Sequence, residues 1–562
     1  MATYNENPDL ENSIAEKKDI THNEFAGDGV YEPVEWNFTR VIAVAALCIA
    51  YVGSQVILYF VSSGLVYISQ GINTNVGNWL LTANTLVVAG TCPFVGYMTD
   101  LLGRRWVTIV GAVLLIISSV VMATSHSLGS AITSMAIGGV GAAICELTAI
   151  AGVAEITPVK WRGVTLSLVT FSILPFIPQL TYMELLELHS TWRWAFGIAG
   201  IWNFIGFLGI TFCYHPPPRH NTDGMSSMDI LKQIDYLGAF LSFGGMTLLL
   251  VGLQAGGYQY PWSSGKVLGP LISGIILILA FPLWEWKGTK NPMVPGAIFR
   301  GQNVVAISLV VVFIAGMNFY AVLGFFPVML TALYETNPLQ VGYRGIGYPL
   351  AILIGACVVN ALLSYTKGHI RQMFVVCALI MTAFGGALAA ATPFNPNFAV
   401  VMATLCSLGI GAIIVPALTV ALYACPDRYI GTTAALSLSS RFLGGSVGTA
   451  IYFNIFNTKI KSKLPTYVAT AAVGAGLPAG SAMQFVGALL GPGGGGRAAA
   501  AIPGATTQVL QAAGLATRWA YADSLAYVWY TTIAFGVISI VCCAFLPNIR
   551  RFMTDRVAVN LH

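Results

Sequence analysis

Fourteen apolar stretches, each about the 20 residues that a membrane-spanning helix needs, decide what this chain can fold into. They lie near 41–63, 78–98, 106–124, 131–153, 164–184, 194–214, 236–255, 267–286, 303–331, 345–364, 373–391, 398–424, 434–456 and 524–546. Charged residues make up only 9% of the 562, against about a quarter in a soluble domain. That is too little charge to cover a water-facing surface, so the bilayer is the solvent that suits this chain. In lipid every backbone amide must be satisfied internally, and segments of this length do so as helices. The expected fold class is an all-α polytopic membrane protein with 14 transmembrane helices. The 60 glycines agree, because membrane helices use glycine for close packing.

Lysine and arginine set the orientation. With the N-terminus in the cytosol, eighteen of the 27 positives fall in inner tails and loops, eight in outer segments, and Arg441 within the thirteenth span. Five of the outer eight sit in one long loop, 457–523, where charge bias has little force. Both termini are therefore expected in the cytosol. The first 35 residues are polar and acidic and read as a disordered tail without a signal peptide. The ten cysteines fall in or beside apolar segments with no C-x-x-C spacing, which predicts buried apolar side chains rather than disulfides or metal ligands. No phosphate-binding loop, zinc-protease motif or nucleophile constellation occurs. The chain is thus not expected to be an enzyme, to hold a cofactor or metal, or to bind nucleic acid. An ion gradient, or the substrate's own gradient, must supply the energy.

A repeat runs through the chain. The fourth span holds GVGAAICELTAIAGVAEITPVKWRG and the twelfth GIGAIIVPALTVALYACPDRYIG. Each opens G-x-G-A, reaches a proline (Pro158, Pro426), then a glycine five residues on (Gly163, Gly431), with registers that differ by two residues. The copies are eight spans apart, an even number, so both cross the membrane in the same direction. That is a parallel repeat, as between the halves of major facilitator transporters. Two six-helix bundles leave spans seven and eight as a central spacer, a 6+2+6 plan. The expected domains are a cytosolic tail (1–40), an N-terminal bundle (41–214), the insert with its cytosolic loops (215–300), a C-terminal bundle (301–546) and a cytosolic tail (547–562). Within the C-terminal bundle, the outer loop 457–523 contains LLGPGGGGRAAAA, which predicts a loose, flexible connection.

Charge within this apolar background marks candidate functional residues. GYMTDLLGRR, Gly96 to Arg105, falls between spans two and three. Gly96 and Gly103 suit a tight turn and close helix approach. Asp100 is placed to meet the positive N-terminal end of span thirteen near Thr432, and Arg104 and Arg105 to pair with Glu155 at the inner end of span four. With Arg162 in the next inner loop, these form an expected gate that closes in one state and opens in the other. Glu146 lies inside span four on a stripe of small residues (Gly139, Ala142, Ala143, Ala149). A carboxylate there costs about 3 kcal/mol and should face the bundle interior, where it suits proton binding. Arg441 is positioned to pair with Glu146, to hold an anionic substrate group, or to snorkel to the inner surface. Substrate-binding candidates for an apolar central cavity are Gln55, Gln179, Tyr182, Asn318, Phe319, Tyr320, Phe325 and Asn360.

The pattern G-x3-D-x2-G-R-R at Gly96, Asp100, Gly103, Arg104 and Arg105 resembles the major facilitator loop signature. WRWAF (Trp192–Phe196), DYLG before span seven and NPMVPGAIF (Asn291–Phe299) resemble the fourteen-span drug:proton antiporters. GMNFY (Gly316–Tyr320), RFLGGSVGTAIYFNIF (Arg441–Phe456) and WAYADSLAYVWY (Trp519–Tyr530) are similar to the fungal trichothecene efflux pump branch, itself similar to the siderophore–iron transporters. Two elements depart. Met135 stands where many drug antiporters carry arginine, and LPFIPQ (Leu174–Gln179) where they carry G-P-x-x-G-G. The resemblance implies a major facilitator fold and proton-coupled efflux of an amphipathic toxin, drug or secondary metabolite by alternating access. It also implies a plasma-membrane location and a functional monomer whose partners are small molecule, protons and lipid. A siderophore–iron transporter is the alternative, and a non-transporting membrane sensor the second.

Overall fold

The computed structural model describes residues 37–74, 77–216, 234–257, 260–289, 292–300, 303–335, 337–366, 369–426, 429–490 and 496–550. Both expected tails, apart from 37–40 and 547–550, lie outside the described residues. Among those described no β-strand forms. The principal helices are α1 (Phe38–Ser63), α2 (Asn78–Leu102), α3 (Arg104–Ala123), α4 (Leu128–Ile156), α5 (Val159–His189), α6 (Arg193–Cys213) and α7 (Tyr236–Ala255). They continue as α8 (Gly265–Lys287), α9 (Val304–Tyr334), α10 (Pro338–Tyr365), α11 (Ile370–Ala387), α12 (Pro396–Ala424), α13 (Ile430–Gly474) and α14 (Thr507–Ala544).

Thirteen of these are long and apolar enough to cross a bilayer, and α13 is the exception. Its polarity follows from its place. It packs against α2, α9 and α14, so Thr432, Thr433, Ser437, Ser439 and Ser446 are buried in protein and need not meet lipid. By contrast α8 lies outermost, with Ile276, Leu279 and Leu283 all at least 60% exposed. Lipid suits such a surface. Pro175 and Pro178 interrupt α5, which splits into Arg162–Phe171 and Gln179–His189, as missing amide donors and ring clashes require.

The repeat is visible in the packing. Helix α1 packs on α4 and α6, α2 on α4, and α3 on α4 and α6. Each pair recurs eight helices on: α9 with α12 and α14, α10 with α12, α11 with α12 and α14. The two cross-seam contacts correspond as well, α2 with α13 and α10 with the first part of α5. The register needs one correction. Equating the G-x-G-A strings directly puts unlike faces together. Gly141 packs on Gly111 of α3, and Gly409 on Met381 of α11; each stands fifteen residues before its helix end. Gly141 and Gly409 are therefore the equivalent pair.

The segment 457–523 is not the loose loop that its composition predicts. Helix α13 runs on to Gly474, α14 begins at Thr507, and Ala482–Leu490 forms a further helix between them. At 1.5 Å per residue, the eighteen residues after 456 carry α13 about 27 Å further. A separate apolar core of Val468, Ala472, Phe485, Val509 and Ala513 holds these pieces together. Lys463 Nζ and Tyr467 Oη each donate to Asp523 Oδ2 at 2.7 Å. The reason is alanine: runs that look low in complexity are rich in the best helix former. The glycine-rich centre, 491–495, lies outside the described residues.

Candidate functional site

The break in α5 and the crossing of α9 with α13 build a cavity at mid-depth of the bundle. Tyr51, Gln55 and Tyr59 of α1 line one wall; Gln179, which starts the second piece of α5, lines another. Thr170 of α5, Phe319 and Tyr320 of α9, Tyr348 of α10 and Arg441 of α13 complete the polar and aromatic part. The two sequence motifs GMNFY and RFLGG explain the geometry. A Cβ on Gly316 would overlap the Arg441 carbonyl oxygen, and one on Gly444 that of Phe313. Without side chains there, α9 and α13 meet backbone to backbone, and Arg441 stands beside Tyr320.

At the cavity wall Arg441 Nη2 meets Glu146 Oε1 at 2.7 Å. Glu146 is fully buried, and the Arg441 side chain is 13% exposed. The guanidinium also sits 4.4 Å from the centre of the Phe442 ring, a favourable cation–π position. Of the placements open to Arg441, the structure thus has it on Glu146. The pair joins α4 to α13, so it spans the seam between the two helix groups that repeat each other's packing. Glu146 Oε2 has no hydrogen-bond partner among the described residues. Protonation would remove the Coulomb attraction that holds the pair.

The end of the bundle where α2 meets α3 carries the loop signature. Gly103 joins the two helices at φ 83°, a left-handed conformation that glycine adopts freely. Gly96 faces α13, where an added Cβ would crowd Ala435 and stand 3.1 Å from the Gly431 carbonyl oxygen. Asp100 is one turn further along α2; its side chain, and so its expected bond to span thirteen, lies outside what is described. Arg104 pairs with Glu155 in a buried ion pair. Arg105 does not: its Nη2 donates to the Thr211 carbonyl of α6 at 2.9 Å. Both arginines therefore bind partners within the first group, so tipping one group against the other leaves these bonds intact. At this end, Arg162 and its neighbours supply bonds that do cross the seam. Fully buried, Arg162 donates from Nε to the Ala154 carbonyl and from Nη1 to the Leu422 carbonyl, both at 2.8 Å. These are last-turn carbonyls of α4 and α12, which lack helical partners and carry the negative end of the dipole. One guanidinium thus ties together two helix ends related by the repeat. Gly163 N donates to Tyr423 Oη at 3.2 Å, and Ser167 Oγ to the Cys357 carbonyl at 2.9 Å.

The other candidates are divided. Gln55, Gln179, Phe319 and Tyr320 line the cavity, and Phe325 lines a second one beside it. Asn318 turns to Met381 of α11, its Nδ2 3.5 Å from the sulfur. Asn360 is buried where α10 crosses α5, and Tyr182 is 37% exposed and donates to the Pro175 carbonyl. Sequence reading missed Tyr51 and Tyr59. Their spacing of four residues about Gln55, one helical face, is the signal that finds them.

A cavity at mid-depth between two parallel-repeated helix groups, closed by bonds across the seam, is the architecture of a major facilitator transporter. The human organic anion transporter MFSD10 (TETRAN) has the same fold, with a TM-score of 0.53 at 12% identity over 89% of this chain and 100% of its own. The profile of the fungal trichothecene efflux pump (TRI12) family matches residues 12–562, and this chain belongs to that family. Among similar proteins, the MFS-type transporter prx5 of Penicillium rubens is 27% identical over 78% of this chain and 80% of its own. The trichothecene efflux pump TRI12 of Fusarium sporotrichioides is 25% identical over 93% and 88%. The efflux pump aflT of Aspergillus parasiticus is 25% identical over 71% and 78%. The chain is accordingly a membrane-embedded efflux transporter of the major facilitator class. Relatives named for efflux give no support to siderophore uptake or to a sensor that does not transport.

Proposed function

We propose that this protein exports an uncharged, oxygenated amphipathic metabolite of the trichothecene type in exchange for protons. It works at the plasma membrane as a monomer of fourteen spans in a 6+2+6 plan, with both termini cytosolic. The observation that carries this reading is the Glu146–Arg441 pair, buried at the cavity wall and joined across the seam. With Glu146 ionised, the pair neutralises the only charge that the described residues bring to the lining, so an uncharged ligand meets no unpaired ion. A proton on Glu146 releases Arg441 and lets the groups tip; the Arg162 bonds then break and re-form with each cycle. Relatives named as a trichothecene efflux pump and as an efflux pump support export as the direction.

The test is accumulation of a labelled trichothecene and a labelled ferric siderophore in cells with and without the protein, at two external pH values. Lower toxin accumulation with the protein, more so at acid external pH, supports the reading. Siderophore uptake without any effect on toxin would overturn it.

A further inference from the structure

A second cavity lies beside the first, behind the seam where α2 meets α13. The two share Tyr320 and Leu323 as a common wall. Phe325, Phe453 and Phe456 form its aromatic side, and Thr85 and Thr449 supply hydroxyls. Thr82 adds a further hydroxyl, and the amide is that of Gln254, which comes from α7 of the two-helix insert. Gln254 Nε2 donates to the Ser446 carbonyl at 3.2 Å, and Ser446 Oγ lies 3.1 Å from Thr85 Oγ1. The insert is therefore bound into the seam and closes this cavity from the side. Among the described residues, no charged residue is part of the lining.

The geometry points to a second binding chamber for the transported molecule, with Gln254 as a residue that determines its specificity. This deepens the export reading and rests on it. Aromatic walls suit a compact apolar ring system, and the amide and hydroxyls suit a few hydroxyl or carbonyl oxygens on it. A charged ligand would be buried here without a partner, which is costly. The insert is then a working part of the pathway rather than a spacer. The shared Tyr320–Leu323 wall makes the chamber a waiting position next to the central cavity.

Gly324 gives a clean test. It lines the chamber, and a Cβ placed on it meets nothing within 4 Å. Gly324→Leu should fill the space without displacing a neighbour. The probe is an uncharged aliphatic alcohol bearing a photoreactive diazirine, applied to the full-length protein in nanodiscs, with adducts mapped by mass spectrometry. We expect adducts in 81–85 and 449–456 as well as in 51–59 and 348–356. Gly324→Leu should reduce the first set at least fivefold and leave the second. Excess trichothecene should protect both, and Gln254→Leu should weaken protection of the first set at least threefold. Equal adducts in wild type and Gly324→Leu would overturn the chamber. Adducts that respond to Gly324→Leu but not to trichothecene would support the chamber while removing trichothecenes as the cargo.

Discussion

Arg441 Nη2 stands 2.7 Å from Glu146 Oε1, a contact between residues 295 apart in sequence that ties α4 to α13 across the seam. Around it the two helix groups repeat each other's packing, and the cavity opens on its cationic side. The charges are worth little as a source of stability, because two buried ions lose their hydration to make one bond. In the export reading proposed above, their value lies in being breakable by a proton.

Removing one partner is the expensive change. Arg441→Ala leaves a buried carboxylate uncompensated, at a cost of about 3–5 kcal/mol. Glu146→Gln with Arg441→Gln leaves neither charge. The yield of monodisperse protein and its melting temperature should fall markedly in Arg441→Ala and recover most of the way in the double variant.

The closed end depends on Gly163. A Cβ there would overlap the Asn360 carbonyl oxygen and stand 2.9 Å from Ser364 Oγ. Gly163→Ala should therefore disfavour closure at that end and slow export about tenfold with normal insertion. Distances between spin labels at residues 160 and 366, on opposite sides of the seam, should lengthen relative to wild type. Unchanged distances would show that this crossing does not govern closure.

Arg104 and Glu155 predict a different phenotype. Their ion pair stays within the first group, so Glu155→Gln should lower stability, by about 3 kcal/mol for a broken buried pair. The dependence of export on pH should not move. Thermal unfolding and pH–rate profiles of the same preparation separate the two effects.

The extension beyond the bundle should exchange slowly. Amides in 457–474 and 507–523 sit in helices that share a small apolar core. Hydrogen exchange should be protected there by at least tenfold relative to an unfolded peptide.

Thirteen of the fourteen expected spans were legible because lipid demands long apolar runs; the thirteenth is too polar to be told by that rule. Glu146 was legible for the converse reason, as a lone carboxylate within a span. Polar residues that pack were not separable from those that line a cavity: Asn318 satisfies itself against Met381, while Gln179 faces the cavity because two prolines break the helix before it. Arg162 appeared in the sequence only as one of several inner-loop cations. Its grip on Ala154 and Leu422 needs helix ends 268 residues apart to be brought together. The 457–523 segment was misread because glycine at its centre drew attention from the alanine-rich helices around it.

Proton movement in proteoliposomes tests the central claim most directly. With a pH-sensitive dye inside, a trichothecene gradient should drive a change in internal pH through the wild-type protein, and none through Glu146→Gln reconstituted to the same density. If Glu146→Gln still moves protons with the toxin, the proton is carried elsewhere and the Glu146–Arg441 pair is not the coupling device.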